Sequence, residues 1–436
     1  MFPNIDLPRV IIIGGGFAGL TLAKNLSKKD VQVVLIDRNN YHTFQPLLYQ
    51  VSTAGLEPDS IVYPIRKVFK NHQNFYFRIT KAKSIDADRN VLNTNLGEIE
   101  YDYLVMATGS KTNFFGLKDV EALSMSMKSV IEALNLRSLI LQNFEEALTT
   151  NNIQEKERLM NYVIVGGGPT GVELAGALAE LKKHVLPNDY PDLDIRKMHI
   201  HLVETDSRLI NAMSIESSIK VLKFLKNMGV NVWLNTQVTG YNGNEVSTDI
   251  GKKIQAKTLV WAAGVKGDPV DGLNGLVVNE ANRITVDKFN RVKGYDNIFA
   301  LGDVAAMTSE KYSHGHPMLA SVAIQQGALL AKNIIRLIKG KNMMPFKYWD
   351  KGIMATIGRN QAVAEFSNIR LHGTAAWFAW MFIHLVMLVG YRNKLVAFVN
   401  WAWSYFNYDK GIRLIIRPYK RKKWKPEKSI SSKMIV

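Results

Sequence analysis

The chain has 436 residues, and none of them is cysteine. Thiolates are the ligands of iron–sulfur clusters and the reactive groups of disulfide chemistry, so both are excluded here. Enzymes that pass electrons through a pair of cysteines, such as disulfide reductases and sulfide-oxidising flavoenzymes, are excluded for the same reason. We also expect no metal site.

Long apolar runs are missing too. One apolar stretch, from Ala375 to Val389, is interrupted by His384. As a helix it would span roughly 22 Å, short of the roughly 30 Å hydrocarbon core of a bilayer. The N-terminus, MFPNIDLPR, has neither the apolar core of a secretion signal nor the composition of a mitochondrial transit peptide. These absences predict a cytoplasmic protein.

Acidic residues are few relative to basic ones: 38 Asp and Glu against 55 Lys and Arg give a net charge of +17. Such a charge favours anionic partners, namely nucleic acid, anionic lipid or phosphate-bearing ligands. Basic residues follow an aromatic stretch at the C-terminus: Arg413, Arg417, Lys420, Arg421, Lys422, Lys423 and Lys425. This order is typical of a segment lying in a membrane surface. No motif for reading bases accompanies it, so we expect no nucleic acid partner.

Near the N-terminus the chain contains a glycine-rich turn between a strand and a helix. An apolar run from Val10 to Ile13 precedes Gly14-Gly15-Gly16-Phe17-Ala18-Gly19 and a helical pattern to Leu26. A second apolar run, from Val31 to Ile36, ends in Asp37. This is the dinucleotide-binding βαβ unit, in which the pyrophosphate lies on the helix N-terminus and the acid accepts hydrogen bonds from the ribose.

The same pattern occurs a second time. An apolar run from Tyr162 to Val165 precedes Gly166-Gly167-Gly168-Pro169-Thr170-Gly171, a helix to Leu181, and a strand from His199 to Val203 that ends in Glu204. An acid at this position favours the free 2′-hydroxyl of NADH over the 2′-phosphate of NADPH. Arg208, four residues later, could soften that preference. The second unit therefore predicts an NADH site.

Three further strand candidates end before small residues, namely Thr108-Gly109, Ala263-Gly264 and Gly302-Asp303. The last resembles the closing strand of an FAD domain, so the second unit is predicted to be inserted in the first. The expected fold is α/β, with two Rossmann-like dinucleotide-binding domains and a C-terminal amphipathic helical membrane-anchoring region. The expected boundaries are residues 1–118 and 281–345 for FAD, 119–280 for NADH, and 346–436 for membrane association.

Four longer segments resemble one known family. They are HTFQPLLYQVSTAGLEP from His42 to Pro58, GGGPTGVELAG from Gly166 to Gly176, ASVAIQQG from Ala320 to Gly327, and the aromatic block from Trp377 to Arg413. Together they look like type II, non-proton-pumping NADH:quinone oxidoreductases, over nearly the whole chain. Many flavoproteins share the glycine loops, whereas the QPLLYQ segment and the C-terminal block are more specific.

The resemblance implies one non-covalent FAD, NADH as substrate and a membrane quinone as electron acceptor. A hydride would pass from NADH to FAD, and two electrons would then reach the quinone without proton pumping. The implied FAD residues are Gly14, Gly16, Phe17, Ala18, Gly19, Asp37, Arg38, Thr43, Gln45, Ala82, Thr108, Gly109, Gly302 and Asp303. The implied NADH residues are Gly166, Gly168, Pro169, Thr170, Gly171, Glu173, Glu204, Ala263 and Gly264. The implied quinone residues are His42, Gln45, Pro46, Leu47, Ser321, Gln325 and Gln326.

Two of these residues, Glu173 and Gln325, are assigned catalytic roles. Glu173 is expected in the first turn of the second glycine helix, either as an ordinary acid stabilised by the helix dipole or as a group that anchors the nicotinamide or relays a proton. The quinone motif of the family reads A-Q-x-A-x-Q. In this chain Ser321 replaces the first glutamine of that motif, and Gln325 retains the second. His42 is either a packed, hydrogen-bonded histidine or the proton donor to the quinol.

The function expected from the sequence is that of a respiratory-chain NADH:quinone oxidoreductase, homodimeric and monotopic on the cytoplasmic face of the cell membrane. Two other classes stay open. One is an NADH-dependent reductase of an acidic protein electron carrier, similar to ferredoxin reductases. The other is a non-enzymatic NADH sensor acting through a dimer switch, which steady turnover with a quinone analogue would exclude.

Overall fold

The computed structural model describes residues 2–3, 5–367, 369–408 and 411–422, so Lys423 and Lys425 of the basic tail lie outside the described residues. The chain forms two compact units. Unit 1 contains the chain up to Phe44, Val62–Lys111 and Val265–Lys351, and unit 2 contains Gln45–Ile61, Thr112–Gly264 and the chain from Gly352 onward. The expected FAD, NADH and membrane-association boundaries are functional assignments and stay predictions.

Helices and strands alternate along most of the described chain. The helices are α1 (Phe17–Leu26), α2 (Leu48–Ser52), α3 (Pro58–Ile61), α4 (Ile65–Val68), α5 (Lys118–Leu123), α6 (Val130–Thr149), α7 (Ile153–Met160), α8 (Pro169–His184), α9 (Leu186–Asp189), α10 (Ile215–Asn227), α11 (Ala320–Ile338), α12 (Thr374–Met387) and α13 (Tyr391–Asn407). The strands are β1 (Arg9–Ile13), β2 (Gln32–Asp37), β3 (Tyr41–Thr43), β4 (Val62–Pro64), β5 (Phe75–Ile79), β6 (Ala82–Asp86), β7 (Val91–Thr94), β8 (Gly97–Glu100), β9 (Tyr103–Met106), β10 (Ser110–Thr112), β11 (Tyr162–Val165), β12 (Ile200–Val203), β13 (Val230–Trp233), β14 (Val238–Tyr241), β15 (Glu245–Thr248), β16 (Lys253–Gln255), β17 (Thr258–Trp261), β18 (Val265–Gly267), β19 (Ile284–Val286), β20 (Ile298–Ala300), β21 (Ala305–Met307), β22 (Ile353–Gly358), β23 (Gln361–Phe366) and β24 (Ile369–His372).

The core of unit 1 is a five-stranded parallel sheet in the order β20-β9-β1-β2-β5. In the centre, Ile11 of β1 lies opposite Val34 of β2 and Leu104 of β9. These three side chains are fully buried, as expected of parallel strands, whose faces are both covered. The first βαβ unit expected from the sequence is confirmed, and its helix begins earlier than expected, at Phe17.

The glycine turn of unit 1 requires two of its glycines on steric grounds. Gly14 has a φ of +106°, and a Cβ there would lie 2.4 Å from the Ala107 carbonyl oxygen. A Cβ on Gly19 would lie 1.9 Å from the Gly14 carbonyl oxygen. The turn therefore packs tightly between β1 and α1 and leaves the N-terminus of α1 at the carboxyl edge of the sheet.

The core of unit 2 is a four-stranded parallel sheet in the order β13-β12-β11-β17. Val163 of β11 lies opposite His201 of β12 and Leu259 of β17. Its glycine turn repeats the geometry of unit 1, because a Cβ on Gly171 would lie 1.9 Å from the Gly166 carbonyl oxygen. The second expected βαβ unit is thereby confirmed.

A small antiparallel sheet, β22-β23-β24, also belongs to unit 2 and packs on α8. The contact is so close that a Cβ on Gly176 of α8 would lie 1.6 Å from the Ile357 carbonyl oxygen. These strands lie within the expected membrane-association region, residues 346–436, and the sequence analysis proposed no sheet there. The sheet was missed because it is specified by long-range packing on α8, which local patterns do not report.

The C-terminal helices α12 and α13 are amphipathic, as expected. Their inner faces bury Ala376, Trp380, Ala397 and Trp401. Their outer faces expose large apolar side chains: Phe378, Phe382, Val386, Leu395, Phe398, Val399, Trp403 and Phe406. Within the described ranges, no helix combines the length and the apolar character needed to cross a membrane.

The described part of the basic tail is not uniformly free to meet an anionic partner. Arg413 pairs with Asp189, with Nε 2.5 Å from the carboxylate oxygen. Arg421 pairs with Glu146 at 3.3 Å. Both arginines are engaged within unit 2, so the tail presents less positive charge to solvent than its sequence suggests.

Candidate active site

In unit 1 the carboxyl edge of the sheet carries the first glycine loop and Asp37. The Asp37 carboxylate accepts hydrogen bonds from the backbone N–H groups of Gly15, at 2.6 Å, and Asn39, at 2.7 Å. A Cβ built on Gly16 would meet no atom within 4 Å. The space beside the N-terminus of α1 is therefore open to a pyrophosphate. Arg38, next to Asp37, is exposed.

Two buried threonine hydroxyls of unit 1 lack a hydrogen-bond partner within the described part of the chain. They are Thr80 Oγ1, after β5, and Thr108 Oγ1, after β9. Buried polar groups are nearly always hydrogen-bonded, so both hydroxyls point to a polar ligand at the strand ends. With the open space at Gly16, they fit a bound dinucleotide such as FAD. Thr80 was missed by the sequence analysis because only the order of the strands places it there.

Asp303 follows β20 in a 3₁₀ turn at the same edge. Its carboxylate accepts a hydrogen bond from the Ser110 hydroxyl at 2.6 Å. The preceding residue, Gly302, has a φ of +69° and donates its N–H to the buried Gln326 side chain at 2.7 Å. Gln326, assigned to the quinone by resemblance, therefore supports the Gly302-Asp303 turn.

The segment after β2 contains His42, which the resemblance assigns to the quinone, and Thr43, which it assigns to FAD; Ala82 and Gly109, also assigned to FAD, lie further along unit 1. His42 is buried, its Nδ1–H donates to the Gly15 carbonyl at 2.9 Å, and its ring meets Phe17 edge-on at 5.1 Å. Burial lowers the pKa of His42 to about 4, so the ring is neutral at pH 7. This is the geometry of a packed histidine. Thr43 ends β3 and Ala82 begins β6, both half-buried, and Gly109 has a φ of +76°.

Gln325 and Ser321 lie one turn apart at the start of α11, and both contact a later segment of unit 1. The Gln325 amide donates to the Trp349 carbonyl at 2.9 Å and accepts from the Trp349 N–H at 3.0 Å. Ser321 Oγ lies 2.9 Å from the Tyr348 hydroxyl. The retained glutamine of the quinone motif is thus bound to backbone, and the serine is bound to a phenol.

In unit 2 the second glycine loop adjoins Glu204 at the end of β12. The Glu204 carboxylate accepts from the Gly167 N–H at 2.5 Å and from the Asp206 N–H at 2.9 Å. Nothing lies within 4 Å of a Cβ built on Gly168. Pro169 is the first residue of α8 and Thr170 beside it is exposed. The loop has the open helix N-terminus and the adjacent acid that a second dinucleotide requires.

Arg208 is directed away from a role at the ribose. Its guanidinium donates to the Met213 carbonyl at 2.7 Å and to the Asn211 carbonyl at 2.8 Å. Across the loop, Ala263 and Gly264 follow β17, and Gly264 has a φ of +114°. Glu204 is therefore left without a neutralising arginine from this position.

Glu173 does not lie in the first turn of its helix, as the sequence analysis placed it. α8 begins at Pro169 and its first turn contains no acid. Glu173 is 8% exposed, and its burial raises its pKa to about 8. Two neighbours act in the opposite direction and lower this pKa: the Thr356 N–H, which donates a hydrogen bond at 3.4 Å, and the Trp380 indole. An acid stabilised by the helix dipole would show the opposite shift. Glu173 therefore keeps its proton at neutral pH.

A cavity of about 100 Å³ in unit 2 opens onto Glu173. One wall is a single face of α8, formed by Glu173, Ala177, Glu180 and His184. The remaining walls include Tyr49, Trp377, Trp380, Trp401, Tyr405 and Tyr408. An aromatic cavity with a few placed polar groups is typical of a small-molecule site. Sequence analysis missed it because its walls come from distant segments, and its tryptophans were assigned to the membrane surface.

The remaining quinone residues expected from the sequence are in unit 2. Gln45, Pro46 and Leu47 form a 3₁₀ turn directly before α2. Gln45 is exposed and Leu47 is buried. The next turn of chain contributes Tyr49 and Gln50 to the cavity wall, so this segment positions the cavity.

Comparisons with known proteins agree with these features. Residues 8–327 match the family model described as pyridine nucleotide-disulphide oxidoreductase, and residues 350–407 match the NDH2 C-terminal domain. The chain is 35% identical over 421 residues to the type II NADH:quinone oxidoreductase NdhA of Mycobacterium tuberculosis, covering 92% of this chain and 88% of that protein. It is 32% identical over 419 residues to the type II NADH:quinone oxidoreductase of Haemophilus influenzae, covering 87% and 93%. Its fold is similar to that of NDH2 from Plasmodium falciparum in complex with NADH, with a TM-score of 0.86 and 21% identity over 94% of this chain and 100% of that one.

Proposed function

This chain belongs to the family of type II NADH:quinone oxidoreductases, and on that premise we propose that it oxidises NADH through a bound FAD and reduces a membrane quinone without pumping protons. The observation that carries the proposal is the aromatic cavity beside the protonated Glu173. A flat, apolar ring can stack on the aromatic walls of this cavity and can receive a proton from Glu173. A protein electron carrier would need neither of these.

We assign one non-covalent FAD to unit 1. The first glycine loop, Asp37, Thr108 and Asp303 would hold it, with the N-terminus of α1 stabilising the negative charge of the pyrophosphate. When bound, FAD supplies two-electron chemistry, accepting a hydride from NADH and passing electrons to the quinone. The buried Arg283 donates to the Asp303 carbonyl at 3.0 Å and fixes the turn that presents the carboxylate.

We assign NADH to unit 2, at the second glycine loop and Glu204. The Glu204 carboxylate accepts from the loop backbone and faces the position where a ribose 2′-oxygen is expected for this motif. A 2′-phosphate there would meet an uncompensated negative charge, because Arg208 is bound to backbone carbonyls. The arrangement favours NADH over NADPH.

Replacing Glu204 tests the nicotinamide preference. In Glu204→Gln the charge is lost while the side-chain oxygen can still accept from the Gly167 N–H, so we expect the ratio of kcat/KM for NADH to that for NADPH to fall about tenfold or more. Arg208→Gln is the matched control and should keep the wild-type ratio. An unchanged ratio in Glu204→Gln would show that the carboxylate does not set the preference.

We place the quinone headgroup in the cavity of unit 2. A protonated carboxyl can donate a hydrogen bond, and then a proton, to a quinone oxygen as electrons arrive. Quinone reduction to quinol consumes two electrons and two protons. The hydride of NADH would supply both electrons and one proton through bound FAD, Glu173 would supply the other proton, and solvent would reprotonate Glu173. The aromatic walls would hold the ring by stacking, in reach of the Glu173 carboxyl.

Filling the cavity tests this assignment. The Ala177 side chain lines the cavity one turn after Glu173, so in Ala177→Leu we expect reoxidation of the reduced enzyme by quinone to slow about tenfold or more, because the added methylenes occupy the ring site. The rate at which NADH reduces the flavin, monitored as loss of flavin absorbance after rapid mixing without quinone, should stay near that of the wild type. Equal slowing of both half-reactions would place the quinone elsewhere.

The acceptor profile distinguishes the proposal from a reductase of a protein carrier. The enzyme should turn over steadily with a long-chain quinone in vesicles and leave the pH inside those vesicles unchanged. Efficient turnover with an acidic ferredoxin-like protein and none with quinone would favour the alternative. Absence of turnover with every acceptor would favour the NADH sensor.

We further propose that α12 and α13 hold the protein on the surface of a membrane, on its cytoplasmic face. Their outer faces present Phe382 at 68%, Leu395 at 65% and Phe406 at 77% exposure. Exposed apolar patches of this kind mark sites of membrane or protein contact. A quinone dissolved in the bilayer would then reach the enzyme without entering water. We also propose that the protein is a homodimer, and its molecular mass measured by light scattering tests this.

Polar substitutions on these helices test the membrane contact. In the triple variant Phe382→Ser, Leu395→Ser and Phe406→Ser, we expect binding to vesicles to weaken at least about a hundredfold, because each buried side chain contributes roughly 1.5 to 3 kcal/mol. Reduction of long-chain quinone should fall with it, while reduction of a water-soluble quinone persists. The control carries Ile153→Ser, Ile215→Ser and Ile250→Ser, which are similarly exposed. Equal binding of the two triple variants would refute the assignment.

A further inference from the structure

A segment of unit 1 returns along α11 without forming a strand or helix of its own. Two side-chain amides on α11 hold it. Asn333 donates to the Met344 carbonyl at 2.9 Å and accepts from the Met344 N–H at 2.8 Å. Gln325, two turns earlier, binds the carbonyl and N–H of Trp349 at 2.9 and 3.0 Å. Each amide satisfies both backbone groups of one residue, as a neighbouring strand would.

The result is a tryptophan whose backbone is held by hydrogen bonds and whose side chain is exposed. Trp349 is 72% exposed, and it is the only exposed large hydrophobic residue among the described side chains of Val265–Lys351. The Ser321 hydroxyl, 2.9 Å from the Tyr348 hydroxyl, holds the neighbouring residue as well. Leaving an indole in water costs free energy that burial would recover. Its rigid presentation therefore indicates a binding surface.

The surroundings of Trp349 are aromatic and carry lysines. The Lys351 ammonium lies 5.5 Å from the centre of the Trp349 ring, and the Lys311 ammonium lies 5.3 Å from that of Tyr312. Lys347 is exposed beside them. Two acids, Glu310 and Asp350, are also exposed in these segments. With three lysines against two acids, the patch has a small positive excess.

We propose that the segment 347–351 is a second membrane contact, in which Trp349 enters the headgroup layer and the lysines meet lipid phosphates. Tryptophan favours this layer because its ring is apolar and its N–H is polar. Lysine stems lie along apolar surface while their ammonium groups reach phosphate. The small charge excess makes the indole, and not electrostatic attraction, the larger contribution. This inference rests on the proposed membrane association and adds a contact in unit 1, outside α12 and α13.

The same inference gives Gln325 and Ser321 of this chain a positioning role. They hold residues 348 and 349 in place so that binding does not have to order a loose segment, which would weaken affinity. A serine at position 321 suits this role, since its short hydroxyl leaves room for the Tyr348 phenol that it binds.

The absence of cysteine from the chain permits a direct test. We would label the full-length, flavin-loaded enzyme with an environment-sensitive fluorophore at one introduced cysteine: Trp349→Cys, Phe382→Cys on α12, or Leu96→Cys at an exposed turn of unit 1. Vesicles of phosphatidylcholine with phosphatidylglycerol are then added, with and without nitroxide-labelled lipid as a quencher. We expect labels at 349 and 382 to shift to the blue and to be quenched, while the label at 96 is unchanged.

Each other outcome overturns a specific part of the interpretation. A response at 382 without one at 349 overturns the second contact and leaves the proposed membrane association standing. No response at either position overturns both. A response at 96 equal to that at 349 indicates non-specific adsorption and overturns the second contact.

One unlabelled variant and one labelled double variant extend the test. In Trp349→Ala we expect partitioning into vesicles to weaken roughly tenfold, with little dependence on salt. Adding Gln325→Leu to the labelled Trp349→Cys protein should weaken quenching at 349, because leucine has the same bulk and cannot bind the backbone. Unchanged partitioning of Trp349→Ala, together with unchanged quenching in the protein that carries Gln325→Leu, would overturn the second contact.

Discussion

Asp303→Ala is expected to purify almost free of flavin and to lose NADH oxidation with every acceptor. The turn from Gly302 to Val304 presents the Asp303 carboxylate at the edge of the parallel sheet, and the family resemblance assigns Asp303 to FAD. Hydrogen bonds to a charged acceptor contribute about 1.5 to 3 kcal/mol each. Loss of two would weaken FAD binding by about a hundredfold or more. The ratio of flavin to protein absorbance after gel filtration measures this directly.

The control for this prediction is Ser110→Ala. The Ser110 hydroxyl donates to the Asp303 carboxylate at 2.6 Å, so its removal disturbs the same turn and leaves the charge in place. We expect Ser110→Ala to keep most of its flavin and Asp303→Asn to keep an intermediate amount. If Asp303→Ala retained the flavin content of the wild type, the assignment of Asp303 to FAD would be wrong.

The two dinucleotide-binding units could be predicted from sequence because their signals are local. Each is a strand, a glycine turn, a helix and a second strand ending in an acid within about 40 residues, a length typical of a βαβ unit. The backbone atoms that leave no room for a Cβ at Gly14 and Gly19 belong to the same unit. The sequence pattern and the packing therefore report the same structure.

The residues of the candidate site that sequence analysis missed depend on contacts between distant segments. Thr80 is placed by the order of strands in a sheet, and Gly176 is required by a strand that arrives about 180 residues later along the chain. Gln325 carries a family motif, yet its partner in the structure is the backbone of Trp349. The family motif indicated Gln325, but the partners of all three residues lie far away along the chain and could not be read from local sequence.

The sequence left the role of Glu173 open, and the raised pKa of its carboxyl makes it the most informative residue to replace. Burial raises the pKa of its carboxyl to about 8, whereas the unfolded chain releases the proton near the ordinary pKa of 4.5. Between these values the folded state binds more protons than the unfolded state, so stability should fall as pH rises through this window. In Glu173→Gln this fall should disappear, and the pH-dependent difference between the two proteins at pH 9 should reach up to about 5 kcal/mol. Unfolding midpoints measured at several pH values provide the comparison.

The same variant decides between the two functional roles of Glu173. If the carboxyl gives its proton to the quinone, Glu173→Gln should slow quinone reduction by about a hundredfold or more, and the wild-type rate of that step should decline above pH 8. If it anchors the nicotinamide instead, bleaching of the flavin by NADH should slow and the reaction with quinone should not. Glu180→Gln is the control, since Glu180 lines the same cavity two turns along α8. We expect the first pattern, because a neutral carboxyl facing an aromatic cavity is a proton donor, and wild-type rates in both half-reactions would refute either role.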